Sequence, residues 1–199
     1  LGALNKYNQQ LGNPTGADGY ALGYGRYAVD VLVPSFIAAY TGQDPTKVAL
    51  IDQQNSNIKS NPFRGILPKP NWRIAYNGLS RVPGFEKIFT NFSLTHAYNG
   101  SLAMNSFTSA LLYRDVSRYN YPSFIDTVSN NYIPFFLVPN ITIQEQFAPL
   151  FGIDVTLTNN LNLKFDYTKQ RQLSLSLIDY QLSEVRSSEI SFGGGFRKK

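Results

Sequence analysis

The sequence predicts an all-β fold: an antiparallel up-and-down segment of a transmembrane β-barrel, about eight strands of a much larger barrel, with a short helical insertion. Three observations predict it. Apolar and polar residues alternate over the last third of the chain. Tight-turn residues such as Asn99-Gly100 and Asn159-Asn160 separate the alternating runs. Charged residues are only 16% of the chain while aromatics reach 14%, so polar character comes from Asn, Ser, Gln and Thr. Ordinary soluble domains carry roughly 25% charged residues. A wall with lipid on one side, water on the other and aromatics at the interfaces suits this composition.

The elements follow in order. Residues 1–28 are an irregular Gly/Tyr-rich loop; Gly12, Gly16, Gly19, Gly23 and Gly25 lack the spacing of a phosphate-binding loop. Residues 29–51 form the helical insertion. Val29, Leu32, Val33, Phe36, Ile37 and Tyr40 recur at helical spacing. Pro34 suits the first turns if the helix starts near Leu32, and Gly42 suits its C-terminal cap. Asp44-Pro45 opens a second short helix towards Leu50. The apolar stripe packs on neighbouring strands, or else narrows a lumen or docks a partner. Residues 52–71 are a Pro-rich connector with Pro62, Pro68 and Pro70.

Residues 72–199 are the transmembrane strands, each of about 9 to 11 residues, the length that crosses a tilted bilayer. Trp72, Ile74 and Tyr76 alternate with Arg73, Ala75 and Asn77; Phe92, Leu94 and Tyr98 share a face; Asn99-Gly100 is a hairpin turn. A phase change near Ser106 predicts a bulge. Residues 113–140 are a long loop rich in Tyr and Pro. Further turns are expected at Asn159-Asn160, Lys169 to Arg171 and Arg186 to Ser188, with Ile178, Tyr180 and Leu182 in a strand between the last two.

Alternation then assigns the faces. Ile153, Val155, Leu157, Leu161, Leu163, Phe165, Leu173 and Leu175 are expected to face lipid. Asn162, Lys164, Asp166, Ser174 and Ser176 are expected to face a watery lumen. Trp72, Tyr76, Tyr98, Tyr167 and Tyr180 fall near strand ends and read as an aromatic girdle, with a core or cross-strand role as the alternative.

Composition excludes several functions. The net charge is +5, but the basic residues are scattered, with one cluster at Arg197-Lys198-Lys199, so nucleic acid is not an expected partner. There is no cysteine, hence no disulfide framework and no thiolate metal site. The most apolar run, Ile133 to Val138, is far below the ~20 residues of a membrane helix and contains Pro134. Leu1-Gly2-Ala3-Leu4 lacks the features of an export signal, so the chain reads as a mature segment or an internal piece. His96 has no second histidine or cysteine with which to build a site. Glu145, Asp154, Asp166, Asp179, Glu184 and Glu189 are spread singly over the strands, and Ser174 and Ser176 lack a nucleophile elbow. No catalytic residue, metal or cofactor is expected, and the chain is not an enzyme.

Several segments resemble one family. They are Asp30 to Gly42 (DVLVPSFIAAYTG), Leu67 to Ser80 (LPKPNWRIAYNGLS), Phe89 to Tyr98 (FTNFSLTHAY), Gln144 to Asp154 (QEQFAPLFGID) and Leu173 to Val185 (LSLSLIDYQLSEV). Together they are similar to the SprA/Sov family of gliding-motility proteins, near its C-terminal region. The resemblance implies a very large outer-membrane barrel of Bacteroidota, the translocon of the type 9 secretion system. It implies as partners the lipid bilayer, the remainder of the same barrel, a PorV-like lateral-gate protein, a plug protein and folded cargo with a C-terminal signal domain. Such proteins are far longer than this chain, so a fragment is expected. The other readings of the residues are a soluble β-rich binding module and a small-solute porin.

Overall fold

The computed structural model describes residues 17–44, 70–106, 108–114 and 124–197. The expected second helix after Asp44-Pro45, most of the Pro-rich connector and the first sixteen residues lie outside them. The chain divides into two compact units. One comprises Leu1–Ile66, Met104–Ile141 and Leu175–Gln181; the other comprises Leu67–Ala103, Thr142–Ser174 and Leu182–Lys199.

Strands dominate the structure. β1 (Trp72–Tyr76), β2 (Phe89–Asn105), β5 (Asn140–Leu157), β6 (Leu161–Ser176) and β7 (Leu182–Phe196) form one antiparallel sheet in the order β1-β2-β5-β6-β7. The sheet is open, with β1 and β7 at its edges. β1 pairs with β2 so that Trp72 stands opposite Tyr98 and Tyr76 opposite Leu94. Past that pairing the Asn71 side chain takes over the strand's role: its Oδ1 accepts the Gly100 N–H at 2.7 Å. The 159–160 turn closes the β5–β6 hairpin as expected. Asn160 adopts φ 65°, its N–H donates to the Leu157 carbonyl, and Asn159 Oδ1 accepts the Leu161 N–H at 3.1 Å.

The strands are fewer and longer than expected, at 17, 18, 16 and 15 residues for β2, β5, β6 and β7. Three expected turns are strand interior. Asn99-Gly100 continues β2, with Gly100 held by Asn71. Lys169 to Arg171 continues β6, and Arg186 to Ser188 continues β7. Glu184 on β7 binds Arg171 across the strands and Arg186 two residues along its own strand, so these charges mark strand-interior pairing and not a turn. The real turn spans 177–181. There Tyr180 has φ 55° and the Ser176 N–H donates to the Gln181 carbonyl, so Ile178 and Tyr180 belong to no strand. Ser106 (φ 58°) ends β2, where a bulge was expected.

In the first unit, α1 (Val29–Thr41) begins at the expected start of the helical insertion and not near Leu32, the start that would have put Pro34 in the first turn. Pro34 therefore sits inside the helix, where its ring removes one backbone donor. The buried face is offset from the expected apolar stripe. Asp30, Val31, Val33, Pro34, Ser35, Ile37 and Ala38 are buried, whereas Val29, Leu32, Phe36 and Tyr40 are half-buried and Ala39 is exposed. Gly42 (φ 69°) caps it, and the Ala38 carbonyl accepts from both Gly42 and Gln43. Ala21, Tyr24, Ala28 and Val31 form a cluster with Tyr132 against it. The 113–140 segment is partly ordered by β3 (Thr108–Ser109) pairing with β4 (Phe136–Leu137). Within it Asp126 accepts from the Ser129 hydroxyl (2.7 Å) and the Ser129 and Val128 N–H groups. The Asn131 side chain accepts the Gly25 N–H, fastening this loop beside α1.

Two expectations follow. Asn160→Gly leaves the hairpin's stability unchanged, while Asn160→Ala costs about 1–2 kcal/mol because the left-handed backbone penalises a Cβ; urea unfolding of the two variants reads this. Ser129, through its hydroxyl first and then its backbone, holds the Asp126 carboxyl below the ordinary aspartate range. A depressed folded-state pKa means the stabilisation is full above the unfolded pKa and fades as pH falls through the folded one. Hydrogen exchange at Ser129 and Gly25 therefore accelerates only in that acid window, and Asp126→Asn exchanges fast at neutral pH.

Candidate functional site

The alternation of β6 sorts the second unit's side chains onto two faces. On one face, Arg73 of β1, Ser93 and Thr95 of β2, Asp154 of β5, Lys164, Asp166 and Thr168 of β6, and Glu189 and Ser191 of β7 line a groove of about 550 Å³. Lys164 Nζ lies 3.1 Å from Asp166 Oδ2, two residues along the same strand. That pair is solvated, so it is worth little in stability and leaves the groove wet. Cations and carboxylates are interspersed with small hydroxyls, so no single charge dominates.

Gly152 sits at the groove's floor. A Cβ added there would meet Thr95 Oγ1, Pro149 Cγ and Asp166 Oδ1. Sequence reading passed over this glycine. The available signal was its place inside an otherwise apolar strand, which marks close approach of neighbours.

The opposite face is apolar. Ile74, Tyr76, Phe151, Ile190, Phe192 and Phe196 are exposed on it. Ile153, Leu157, Leu161, Leu163, Phe165 and Tyr167 are half-buried. Trp72 stacks on Tyr98 at 4.5 Å between centroids, and Tyr98 packs on Phe147 at 5.0 Å. His96 lies on the same face, 5.7 Å from the Phe147 ring. Its Nδ1 is 2.6 Å from the Leu150 carbonyl; that oxygen can only accept, so Nδ1 carries the proton. The histidine is thereby engaged in tying β2 to β5.

Several expected positions need correction. Val155, Leu173 and Leu175 are buried at 7%, 8% and 6% exposure, so the protein itself covers them and they offer nothing to lipid. Tyr98 is 2% exposed, its hydroxyl donating to Glu145 at 3.0 Å, so it is an internal anchor and not a girdle residue. Tyr180 stands in the 177–181 turn with its ring 4.5 Å from Tyr27. Ser176 accepts the Asp179 N–H in that same turn. Asn162 and Lys164 are exposed, Asp166 and Ser174 half-buried. The groove brings Lys164 and Asp166 together with Arg73, Asp154 and Glu189; Asn162, Ser174 and Ser176 lie outside its lining.

Among the described residues no group of three or more His, Asp or Glu side chains is arranged to hold a metal ion. No helix among them is long and apolar enough to cross a membrane, which says nothing of strands that cross. No protein-family model and no curated protein matches the chain.

Gly152→Val is expected to destabilise the protein by about 1–3 kcal/mol through overpacking. Gly152→Val with Thr95→Ala recovers only the part due to the clash with Thr95 Oγ1. Thermal melts of both variants measure it.

Proposed function

We propose that the chain is a wall segment of a large protein-conducting channel in a bacterial outer membrane, of the type 9 secretion kind that its sequence resembles. The observation that carries this reading is a sheet of long strands with exposed apolar side chains on one face and small neutral and mixed-charge side chains on the other. A soluble sandwich buries its apolar face against a second layer. Here Phe192 is 73% exposed and Ile190 69%. Lipid is the medium that accepts such a face at no cost, and closure into a barrel is what satisfies the edge strands.

In this reading transport needs no residue chemistry. The polar face lines a wide lumen, and its Ser, Thr and paired charges, with Ala148, Pro149 and Ile153 the apolar members of the groove lining, offer folded cargo little to adhere to. The open edges of the sheet are completed by the remainder of the same barrel. The PorV-like lateral-gate protein, the plug protein and the C-terminal signal domain of cargo are the partners this reading brings with it, and the bacterial outer membrane is its location.

The absence of cysteine makes single-cysteine labelling clean. In native membranes a water-soluble maleimide is expected to label cysteine placed at Asn162 or Ser191 and to spare Leu163 and Phe192. Labelling of all four sinks the membrane orientation and favours a soluble binding module. Leu163→Arg is expected to cost about 2–4 kcal/mol of membrane stability, as a cation on a lipid face does, while Asn162→Arg assembles normally; heat-modifiability on a gel reads both. The native polypeptide runs far above 22.3 kDa on the same gel; a band at that mass removes the large-barrel reading.

A further inference from the structure

Three ion pairs of the second unit, those of Arg171 with Glu145 and Glu184 and of Arg186 with Glu184, form a line across the apolar face. Two hydrogen bonds, Ser176 N–H to Gln181 O (2.9 Å) and Arg197 N–H to Asn160 O (3.3 Å), belong to one register of the β6–β7 hairpin. In that register Arg171 stands opposite Arg186. Like charges directly opposite repel. Glu184 relieves this, its Oε1 lying 2.5 Å from Arg171 Nε and 2.7 Å from Arg186 Nε. Arg171 Nη1 also lies 3.7 Å from Glu145 on β5. Glu145 in turn accepts the Tyr98 hydroxyl on β2, and Tyr98 stacks on Trp72 of β1. One row of polar and aromatic groups therefore crosses all five strands at a single level.

The row keeps surplus positive charge. Alternation places exposed Lys169 on the same face beside Arg171. Lys169, Arg171 and Arg186 then meet only Glu145 and Glu184. The apolar residues also change character at the row. Towards the Asn159-Asn160 turn Ile190 and Phe192 on the edge strand are open, while Val155 on the inner strand is buried at 7%; away from it Ile143 and Leu173 are buried at 3% and 8% exposure. Leu182, on the edge strand, stays exposed there.

The open band has a definite height. Leu161 to Arg171 on β6 and Arg186 to Phe196 on β7 are both ten residue steps. At about 3.3 Å per residue and a strand tilt of about 40°, ten steps rise about 25 Å, the height of the apolar band around an outer-membrane barrel.

We infer that this row is a lipid-headgroup site. Lys169, Arg171 and Arg186 hold the phosphates of one bilayer leaflet, and the Trp72 ring lies at the same level. The row sets the depth of the sheet, and the strand segments past it stand in water. This inference rests on the outer-membrane reading above. Guanidinium groups suit it because their planar donors grip phosphate while a carboxylate on one side holds them in place.

The test is a depth scan of nitroxides on the full membrane polypeptide, reconstituted in phosphatidylcholine vesicles containing phosphatidylglycerol. Cysteines are placed singly at Phe192, Ile190, Ser188 and Leu182. Collisions with oxygen are expected to dominate at Phe192 and Ile190, and collisions with a water-soluble nickel chelate at Leu182, with the crossover at Ser188. In the Lys169→Gln/Arg186→Gln background the crossover is expected to move towards Leu182. An oxygen-rich Leu182 in the unaltered protein, or a crossover that the double variant leaves in place, overturns the headgroup site while the membrane reading stands. A nickel-accessible Phe192 overturns the membrane reading itself.

Discussion

The hydrogen-bond ladder on either side of β6 is the constraint on which the second unit depends. It gives every side chain of the strand one of two faces and no intermediate choice. The 159–160 turn, with Asn160 in the left-handed region, fixes where that ladder begins. A slip by one residue would carry Lys164 and Asp166 to the apolar face and bring Leu163 and Phe165 into the groove. The β6 and β7 charges of the groove and the arginine row follow from that register, while the Trp72–Tyr98–Phe147 stack follows from the pairing of β1, β2 and β5. Glu184 is a second-order consequence: the register sets two arginines opposite each other, and an acid must stand between them.

Much of this was legible in the residues. Period-two alternation located the strands of the last third, and the paired asparagines located their turn. What failed was the use of polarity as a sign of turns. Lys169 to Arg171, Arg186 to Ser188 and Asn99-Gly100 look like breaks because a strand crossing lipid should not carry charge or a hairpin dipeptide in its middle. Arg171 is satisfied by Glu145 and Glu184 on the two adjacent strands, and those partners are invisible to a reading along one strand; Arg186 is held by Glu184 two residues before it on β7. Gly100 is satisfied by a side chain 29 residues away. The true turn at 177–181 was missed because Leu177, Ile178, Tyr180 and Leu182 continue an apolar rhythm through it.

The helix shows the same limit. Its existence and its glycine cap were readable, but its buried face was not. Helical spacing of Leu32, Phe36 and Tyr40 marks a stripe only if one side of the helix faces water. The wide buried arc of α1 takes in small residues such as Ser35 and Ala38 along with Val33 and Ile37, while Leu32, Phe36 and Tyr40 are only half-buried. The faces of the sheet were readable as faces. Which positions the protein covers for itself, as at Val155, Leu173 and Tyr98, depends on residues distant in sequence and could not be seen from alternation.

The two margins of the sheet are unlike. At one, β1 covers only the middle of β2, and the Asn71 amide then occupies the next donor of the ladder, much as a cap occupies the end of a helix. At the other, β7 presents fifteen residues without proline, with Gly193, Gly194 and Gly195 just before its last residue, Phe196. A long margin offers an added strand far more ladder than the five residues of β1 do. Copies of the chain handled in isolation would therefore associate first through β7.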